Sequence, residues 1–290
     1  MSTDDFRNSV KDLLSNNQFR IKKHLGQNFL KDRNILQKIV REAKITKNVG
    51  VIEVGPGLGS LTEYLIESAK KVVAYEVDND LIPILQKRFL PCDNFELINQ
   101  DILTVDIDHD IDTFFPGYEE IVVVANLPYY ITTPILMRFL ETSKKVSRMI
   151  LMMQSEVGMR VTSKPSTKDY NALTVVINYR AETKYLFKVP KTVFVPEPNV
   201  DSAIIEINIR KNIEKKPIDE PFFFDFVHRC FTQRRKTLLN NLRETYSQYD
   251  RAYWEALLIE MGFVPTIRAE ALNIDDFINL SDRVCVMITK

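Results

Sequence analysis

Val122 to Ile135 reads VVVANLPYYITTPI. An apolar run, Ile121 to Ala125, stops abruptly at an amide, a proline and two tyrosines. Asn126 brings a carbonyl and an NH2 group. Pro128 removes a backbone donor and fixes φ. Tyr129 offers a flat ring face. The combination suits a planar, polar group held at the end of a buried strand. A chain that only needed to turn would more often use Gly or Asp.

A second group lies upstream, in Glu53-Val-Gly55-Pro-Gly57-Leu-Gly59. Its glycines sit at a strand-to-helix turn, where backbone must approach a ligand or adopt positive φ. The dinucleotide fingerprint is G-x-G-x-x-G, which seats a pyrophosphate on a helix N-terminus. Here the spacing is G-x-G-x-G with a proline inside it. Glu76 ends the next apolar stretch and can accept both hydroxyls of a ribose. Asp101 follows a third stretch and could accept from an adenine amino group. Either acid alone would serve equally well as a helix cap. The set favours an adenosine compound lying across the carboxyl ends of neighbouring strands.

NAD, FAD and S-adenosylmethionine all satisfy a ribose-binding acid, but the glycine spacing argues against a pyrophosphate. S-adenosylmethionine carries a zwitterionic methionine tail instead. Backbone amides of the turn, with the amide of Asn28, would hold its carboxylate. Glu53 would make the surroundings of its sulfonium and ammonium electronegative.

These groups need strands and helices to position them. Short β-branched stretches at 49–54, 71–77, 95–98, 121–125 and 149–153 alternate with helical spacing at 33–45, 60–69, 80–89 and 133–141. That alternation predicts a parallel, doubly wound α/β sheet. Leu173–Tyr179 and Ala203–Ile209 read as further strands, forming an antiparallel edge. Residues 6–24 read as one or two short helices. After Arg210, RKNIEKKPIDEP reads as a linker, and the pattern from Phe222 onward is helical throughout. The predicted domains are therefore 1–210, which would bind the ligand, and 211–290, a small all-α domain. The 290 residues suffice for one large core and a smaller one.

Composition bounds the function. Hydrophobic content is 45% and charged content 27%, the values of an ordinary globular protein. No apolar run approaches a membrane span, and the polar N-terminus argues against a secretory signal. Three scattered cysteines (Cys92, Cys230, Cys285) and three scattered histidines (His24, His109, His228) predict no disulfide framework and no metal site, and fit a cytoplasmic protein. Net charge is zero. Lys and Arg nevertheless outnumber acids by 11 to 5 in residues 1–50 and 10 to 5 in 141–200, while acids dominate 15 to 5 between them. A neutral chain can thus carry a basic face that attracts phosphates.

QNFL (27–30), EVGPGLG (53–59), YEVD (75–78), QDIL (100–103) and NLPYYITTPI (126–135) occur in an order and spacing that resembles the rRNA adenine N6-methyltransferases. VFVPEPNVDSA (193–203), FTQRRKTLLNNL (231–242) and RAEALNIDDF (268–277) extend the likeness to the KsgA type, the 16S rRNA adenine dimethyltransferases. The resemblance covers nearly all of Lys22 to Phe277. Two positions depart from the family pattern: Ser155 where Lys or Arg is common, and Asn171 where Gly is common.

The resemblance implies a Rossmann-like S-adenosylmethionine-dependent methyltransferase sheet followed by a helical RNA-positioning domain. It implies that Gln27, Asn28, Leu30, Glu53, Gly55, Gly57, Glu76, Asp101 and Asn126 surround the cofactor. The catalytic turn would be Asn126, Leu127, Pro128 and Tyr129. Adenine N6 is a poor nucleophile, since its lone pair is delocalised into the ring. Asn126's side-chain carbonyl and a backbone carbonyl at Leu127 or Pro128 would accept its two N–H bonds and re-aim that lone pair. Tyr129 would stack on the flipped base, with Phe194 on its other side, although an aromatic between valines is often simply core. Arg20, Lys22 and Lys23, and the Arg234-Arg235-Lys236 cluster opening a helix, would grip rRNA phosphates. The implied partner is 16S rRNA in a late 30S precursor, the implied state a monomer, and the implied phenotype of loss an altered sensitivity to kasugamycin. Rival readings are the erythromycin-resistance type acting on large-subunit rRNA, and a relative that binds nucleic acid without catalysis.

Overall fold

The computed structural model describes residues 21–22 and 26–289. The helices expected within residues 6–24 fall outside the described residues, except that Ile21 and Lys22 are not helical. Two compact units divide the chain: Met1–Gly158 with Thr183–Lys211, and Met159–Glu182 with Asn212–Lys290.

In the first unit the strands are β1 (Phe29–Leu30), β2 (Val49–Val54), β3 (Lys71–Tyr75), β4 (Phe95–Ile98), β5 (Glu120–Asn126), β6 (Arg148–Gln154), β7 (Ala181–Val189), whose first two residues fall in the second unit, β8 (Phe194–Val195) and β9 (Ser202–Ile209). The helices are α1 (Arg33–Glu42), α2 (Ser60–Ser68), α3 (Ile82–Phe89), α4 (Ile107–Phe114), α5 (Thr132–Thr142) and α6 (Ser155–Val161), whose last three residues fall in the second unit. Seven strands form one sheet in the order β4-β3-β2-β5-β6-β9-β7. Neighbours from β4 to β6 run parallel, and β9 runs antiparallel to β6. All six residues of β2 and the central five of β5 are buried. Continuous apolar runs of this kind belong in a parallel sheet covered on both faces. Chain order reverses between β2 and β5, which opens a crevice at their carboxyl ends.

The second unit contains α7 (Ala172–Arg180), α8 (Glu220–Cys230), α9 (Leu238–Thr245), α10 (Arg251–Glu260) and α11 (Ile274–Ile288). Trp254, Phe223, Phe226 and Phe277 are fully buried in it. No helix among the described residues is long and apolar enough to cross a membrane.

Two expectations are corrected. Leu173–Tyr179 is not a strand but most of α7. Its β-branched residues point to a strand, yet Asn171 starts a helix with a capping box shared with Thr174. Packing then overrides propensity: Tyr179 donates to Glu220 Oε1 at 2.7 Å, and its ring lies 5.2 Å from that of Phe223. These contacts also place residues 159–182 with the helical unit, so the boundary is not a single cut after residue 210. The outer edge strand is β7 instead, a segment the sequence reading had passed over. Asn171 itself has φ −158°, an extended backbone that needs no glycine. Ser155 donates its backbone N–H to Asp201 O at 2.9 Å.

Candidate active site

The crevice is a cleft of about 1160 Å³, its open mouth included, and it lies wholly within the first unit. Gln27, Asn28, Leu30, Glu53, Gly55, Gly57, Glu76, Asp101, Asn126, Leu127, Pro128, Tyr129 and Phe194 all line it. The sequence thus names the walls of one cavity from six separate segments.

The glycine turn is held open by its backbone. Gly55, Gly57 and Gly59 have φ of 68°, 60° and 81°, a region that side chains rarely enter. A Cβ on Gly59 would sit 2.5 Å from the Phe89 ring, so its packing also demands glycine. A Cβ on Gly55 would meet no atom within 4 Å, because that position faces the open cleft. The N–H groups of Gly55, Gly57 and Gly59 are already taken, by Tyr75 O, Glu76 Oε2 and Pro56 O. At these three glycines the turn therefore offers close backbone approach rather than free donors. Arg88 holds the turn from below by donating to Leu58 O and to Glu63 Oε2, the latter at 2.8 Å.

Two buried acids of the cleft are treated differently. Glu76 accepts from Gly57 N at 3.2 Å and from Asp78 N at 2.9 Å. Burial raises its pKa, and these backbone donors oppose the rise. Glu53, at the end of β2, is 2% exposed, and its Oε2 has no hydrogen-bond partner. Burial pushes its carboxyl up to about 8. A carboxylate oxygen left unpaired beside a ligand cleft is costly unless a cation meets it. Asp101 caps the 3-10 turn Ile102–Thr104 by accepting from Leu103 N at 2.9 Å, so it both caps and lines the cleft.

The QNFL segment is tied down from outside. Gln27 Nε2 donates to Asp78 Oδ2 at 2.7 Å, and Gln27 Oε1 accepts from Lys22 N at 2.8 Å. Lys22 Nζ lies 2.5 Å from Asp78 and 2.7 Å from Asp80. Lys22 is thus an anchor for this segment and not a phosphate ligand; Arg20 and Lys23 lie outside the described residues. β1 pairs antiparallel with β8, Leu30 opposite Phe194 and Phe29 opposite Val195. Phe194 is 3% exposed and belongs to a buried apolar cluster, while also lining the cleft.

At the end of β5, Asn126 Nδ2 donates to Asn28 O at 3.3 Å. This bond turns Oδ1 the other way, as an acceptor. Pro128 O is occupied twice, by Ile131 N and Thr132 Oγ1, both at 3.1 Å. Of the two backbone carbonyls considered from sequence, Leu127 O is the one left to accept. Tyr129 Oη lies 2.9 Å from Ser202 Oγ on β9, and burial raises the Tyr129 pKa. Sequence reasoning missed Ser202, Arg88, Asp78 and the exposed Tyr130. The first three act through contacts with distant segments, and only Tyr130 was flagged by its position in NLPYY.

Arg234, Arg235 and Lys236 lie in the helical unit, in the turn before α9 rather than at a helix start; Thr237 caps α9. Arg234 donates to Lys168 O and Tyr170 O, and Lys236 pairs with Glu244. Arg235 is exposed.

A model of the family described as ribosomal RNA adenine dimethylase matches residues 18–284. The chain belongs to that family. A curated relative from Lactococcus lactis, "Ribosomal RNA small subunit methyltransferase A", is 47% identical over 94% of this chain and 93% of its own. A namesake from Bacillus cytotoxicus is 46% identical over 95% of both chains. Among solved structures, a dimethyladenosine transferase from Plasmodium falciparum is similar with TM-score 0.71 and 25% identity, over 90% of this chain and 98% of that one. The 23S rRNA methyltransferase ErmE gives TM-score 0.67 and 27% identity, over 89% and 99%.

Membership makes S-adenosylmethionine the cofactor, and the residues present fit it. The orphaned Glu53 oxygen suits its ammonium, the cradle at Gly55 admits close approach, and Glu76 and Asp101 flank the space for ribose and adenine.

Proposed function

We propose that this protein dimethylates N6 of two adjacent adenosines in the 3′-terminal hairpin of 16S rRNA, on a late small-subunit precursor. When bound, S-adenosylmethionine supplies a methyl group already activated on a sulfonium. The chain's own work is to hold the adenine and re-aim its nitrogen. Asn126 Oδ1 accepts one N6–H and Leu127 O accepts the other. In the first transfer, drawing on both hydrogens pulls the nitrogen toward tetrahedral geometry and frees its lone pair; once the methyl is bonded, the cationic nitrogen releases one of these protons to solvent, and the second transfer holds the nitrogen by its single remaining N–H. No strong base is needed for this step; orientation of this kind can contribute ~7–11 kcal/mol. Tyr129 stacks on the extruded base, with Phe194 bordering the cleft, and offsets the few kcal/mol lost on unstacking. The methionine carboxylate falls to Asn28, whose Nδ2 uses only one of its two hydrogens, on Gly26 O. The observation that carries the reading is the 3.3 Å bond from Asn126 Nδ2 to Asn28 O, because it fixes the amide with its carbonyl as the acceptor.

The helical unit would position the RNA. The protein would act as a cytoplasmic monomer, and its loss would alter kasugamycin sensitivity. The small-subunit substrate is supported by relatives at 46–47% identity that bear that name. The likeness to a 23S rRNA methyltransferase supports a second reading, a large-subunit target. Transfer from labelled S-adenosylmethionine to unmethylated 30S and 50S particles separates them. Dimethyladenosine in 16S rRNA alone is the expected result. Label in 23S rRNA would replace the substrate assignment, and no label despite cofactor binding would overturn the activity.

A further inference from the structure

Pro128, Tyr129, Tyr130 and Ile131 form a turn closed by Ile131 N donating to Pro128 O at 3.1 Å. Its two central tyrosines behave oppositely. Tyr129 is tied inward, its hydroxyl 2.9 Å from Ser202 Oγ. Tyr130 is 60% exposed, yet it lines the same cleft. One side of its ring faces Gly26: a Cβ built there would lie 3.4 Å from both Cδ1 and Cε1 of Tyr130, an ordinary contact distance. Gly26 adopts φ 61°, a conformation that favours glycine and leaves that side of the ring without a side chain from this position. No aromatic or cationic partner stacks on Tyr130 among the described residues.

An aromatic face open to solvent, one residue from the tyrosine assigned to the target base, can serve as a stacking platform. We propose that Tyr130 receives the nucleobase covalently adjacent to the adenine held in the cleft. This rests on the proposed function. A nucleotide extruded into the Asn126 pocket drags its neighbour to the rim, and every nucleobase presents a π face. On a substrate with two adjacent target adenosines, the second would wait on Tyr130 while the first is modified. The phenol hydroxyl plays no part, so the ring alone should matter.

The test compares wild type, Tyr130→Ala and Tyr130→Phe, each as the full chain. Three readouts are taken: KM for unmethylated 30S particles, cofactor affinity, and binding to the 16S 3′-terminal hairpin with or without an abasic site beside the target adenine. Tyr130→Ala should raise KM about tenfold, the size of one lost base–aromatic stack. Cofactor affinity should stay at wild type, which also reports an intact cleft, and Tyr130→Phe should behave as wild type throughout. On the abasic hairpin the difference between Tyr130→Ala and wild type should vanish. A KM unchanged by Tyr130→Ala, a loss shared by Tyr130→Phe, or an equal loss on intact and abasic hairpins would each overturn the platform. Where the hairpin binds too weakly to measure, the KM comparison decides. Failure of the wild type to label 30S particles would instead strike the proposed function.

Discussion

The turn at Asn126–Tyr129 and the turn at Arg234–Lys236 are both short polar runs, and both look functional in the sequence. In the first, the structure spends one polar group to aim another: Asn126 Nδ2 is bound so that Oδ1 is presented. In the second, the polar groups are mostly spent at home. Arg234 holds two carbonyls of the 168–170 loop and Lys236 pairs with Glu244. A short amide at a strand end has few conformations, and its strand dictates where it points. A long cation reaches whatever acceptor tertiary packing brings near, so its partner cannot be inferred from a charge run.

The contrast can be broken most sharply at Asn126. Asn126→Ala should slow single-turnover transfer about 100- to 1000-fold, the effect of losing one aimed transition-state contact. Cofactor affinity measured by calorimetry should hardly change. Near-normal transfer would show that the strand-end amide is no more committed to chemistry than Arg234 is.

Glu53 comes next. Glu53→Gln should weaken cofactor binding by about tenfold, roughly the worth of one charge-assisted hydrogen bond. Its carboxyl titrates near 8 in the folded chain and at 4.5 in the unfolded reference. Cationic cofactor should therefore expel its proton on binding at neutral pH, seen as a buffer-dependent heat that Glu53→Gln abolishes. The linked stability runs the other way from an ordinary salt-bridged acid. Between 4.5 and about 8 the unfolded chain has released the proton and the folded chain has kept it. The contribution present below 4.5 thus declines as pH rises through that window, then levels off. Urea midpoints of wild type against Glu53→Gln across this range would check it; a flat difference would mean the carboxyl is already paired.

The smallest effects lie in the basic turn. Arg234→Ala should cost about 1 kcal/mol of stability, as for a lost hydrogen bond from a charged group at the surface, with little change in the salt dependence of RNA binding. Arg235→Ala should leave stability intact and lower the slope of log affinity against log salt by about 1. Equal slope changes for both would restore the basic cluster as a unit.

Much of the catalytic unit was legible because its signals are local. Glycines with positive φ and apolar strands ending in acids read correctly from a few residues, NLPYY falls on the cleft as its position at a strand end suggests, and the order of these segments set the sheet. The misses share a different origin. Leu173–Tyr179 carries strand-like residues, but its cap at Asn171 and its seat against Glu220 and Phe223 make it a helix. Lys22 was read as a phosphate ligand and instead serves two aspartates. Each of these depends on a partner far away in the chain, which no local pattern announces.

The ribbon of β1 with β8 joins Phe29 and Leu30 to Val195 and Phe194, near opposite ends of the catalytic unit's sequence. Closing a loop between segments so far apart costs conformational entropy that local contacts do not. During synthesis, the wall that carries Phe194 is absent until the chain has passed beyond β7, well after Asn126 has emerged. A nascent chain therefore holds Asn126 before it holds a closed cleft. The strand pair acts as a latch on assembly, giving the enzyme a binding cleft only once nearly the whole of the first unit exists.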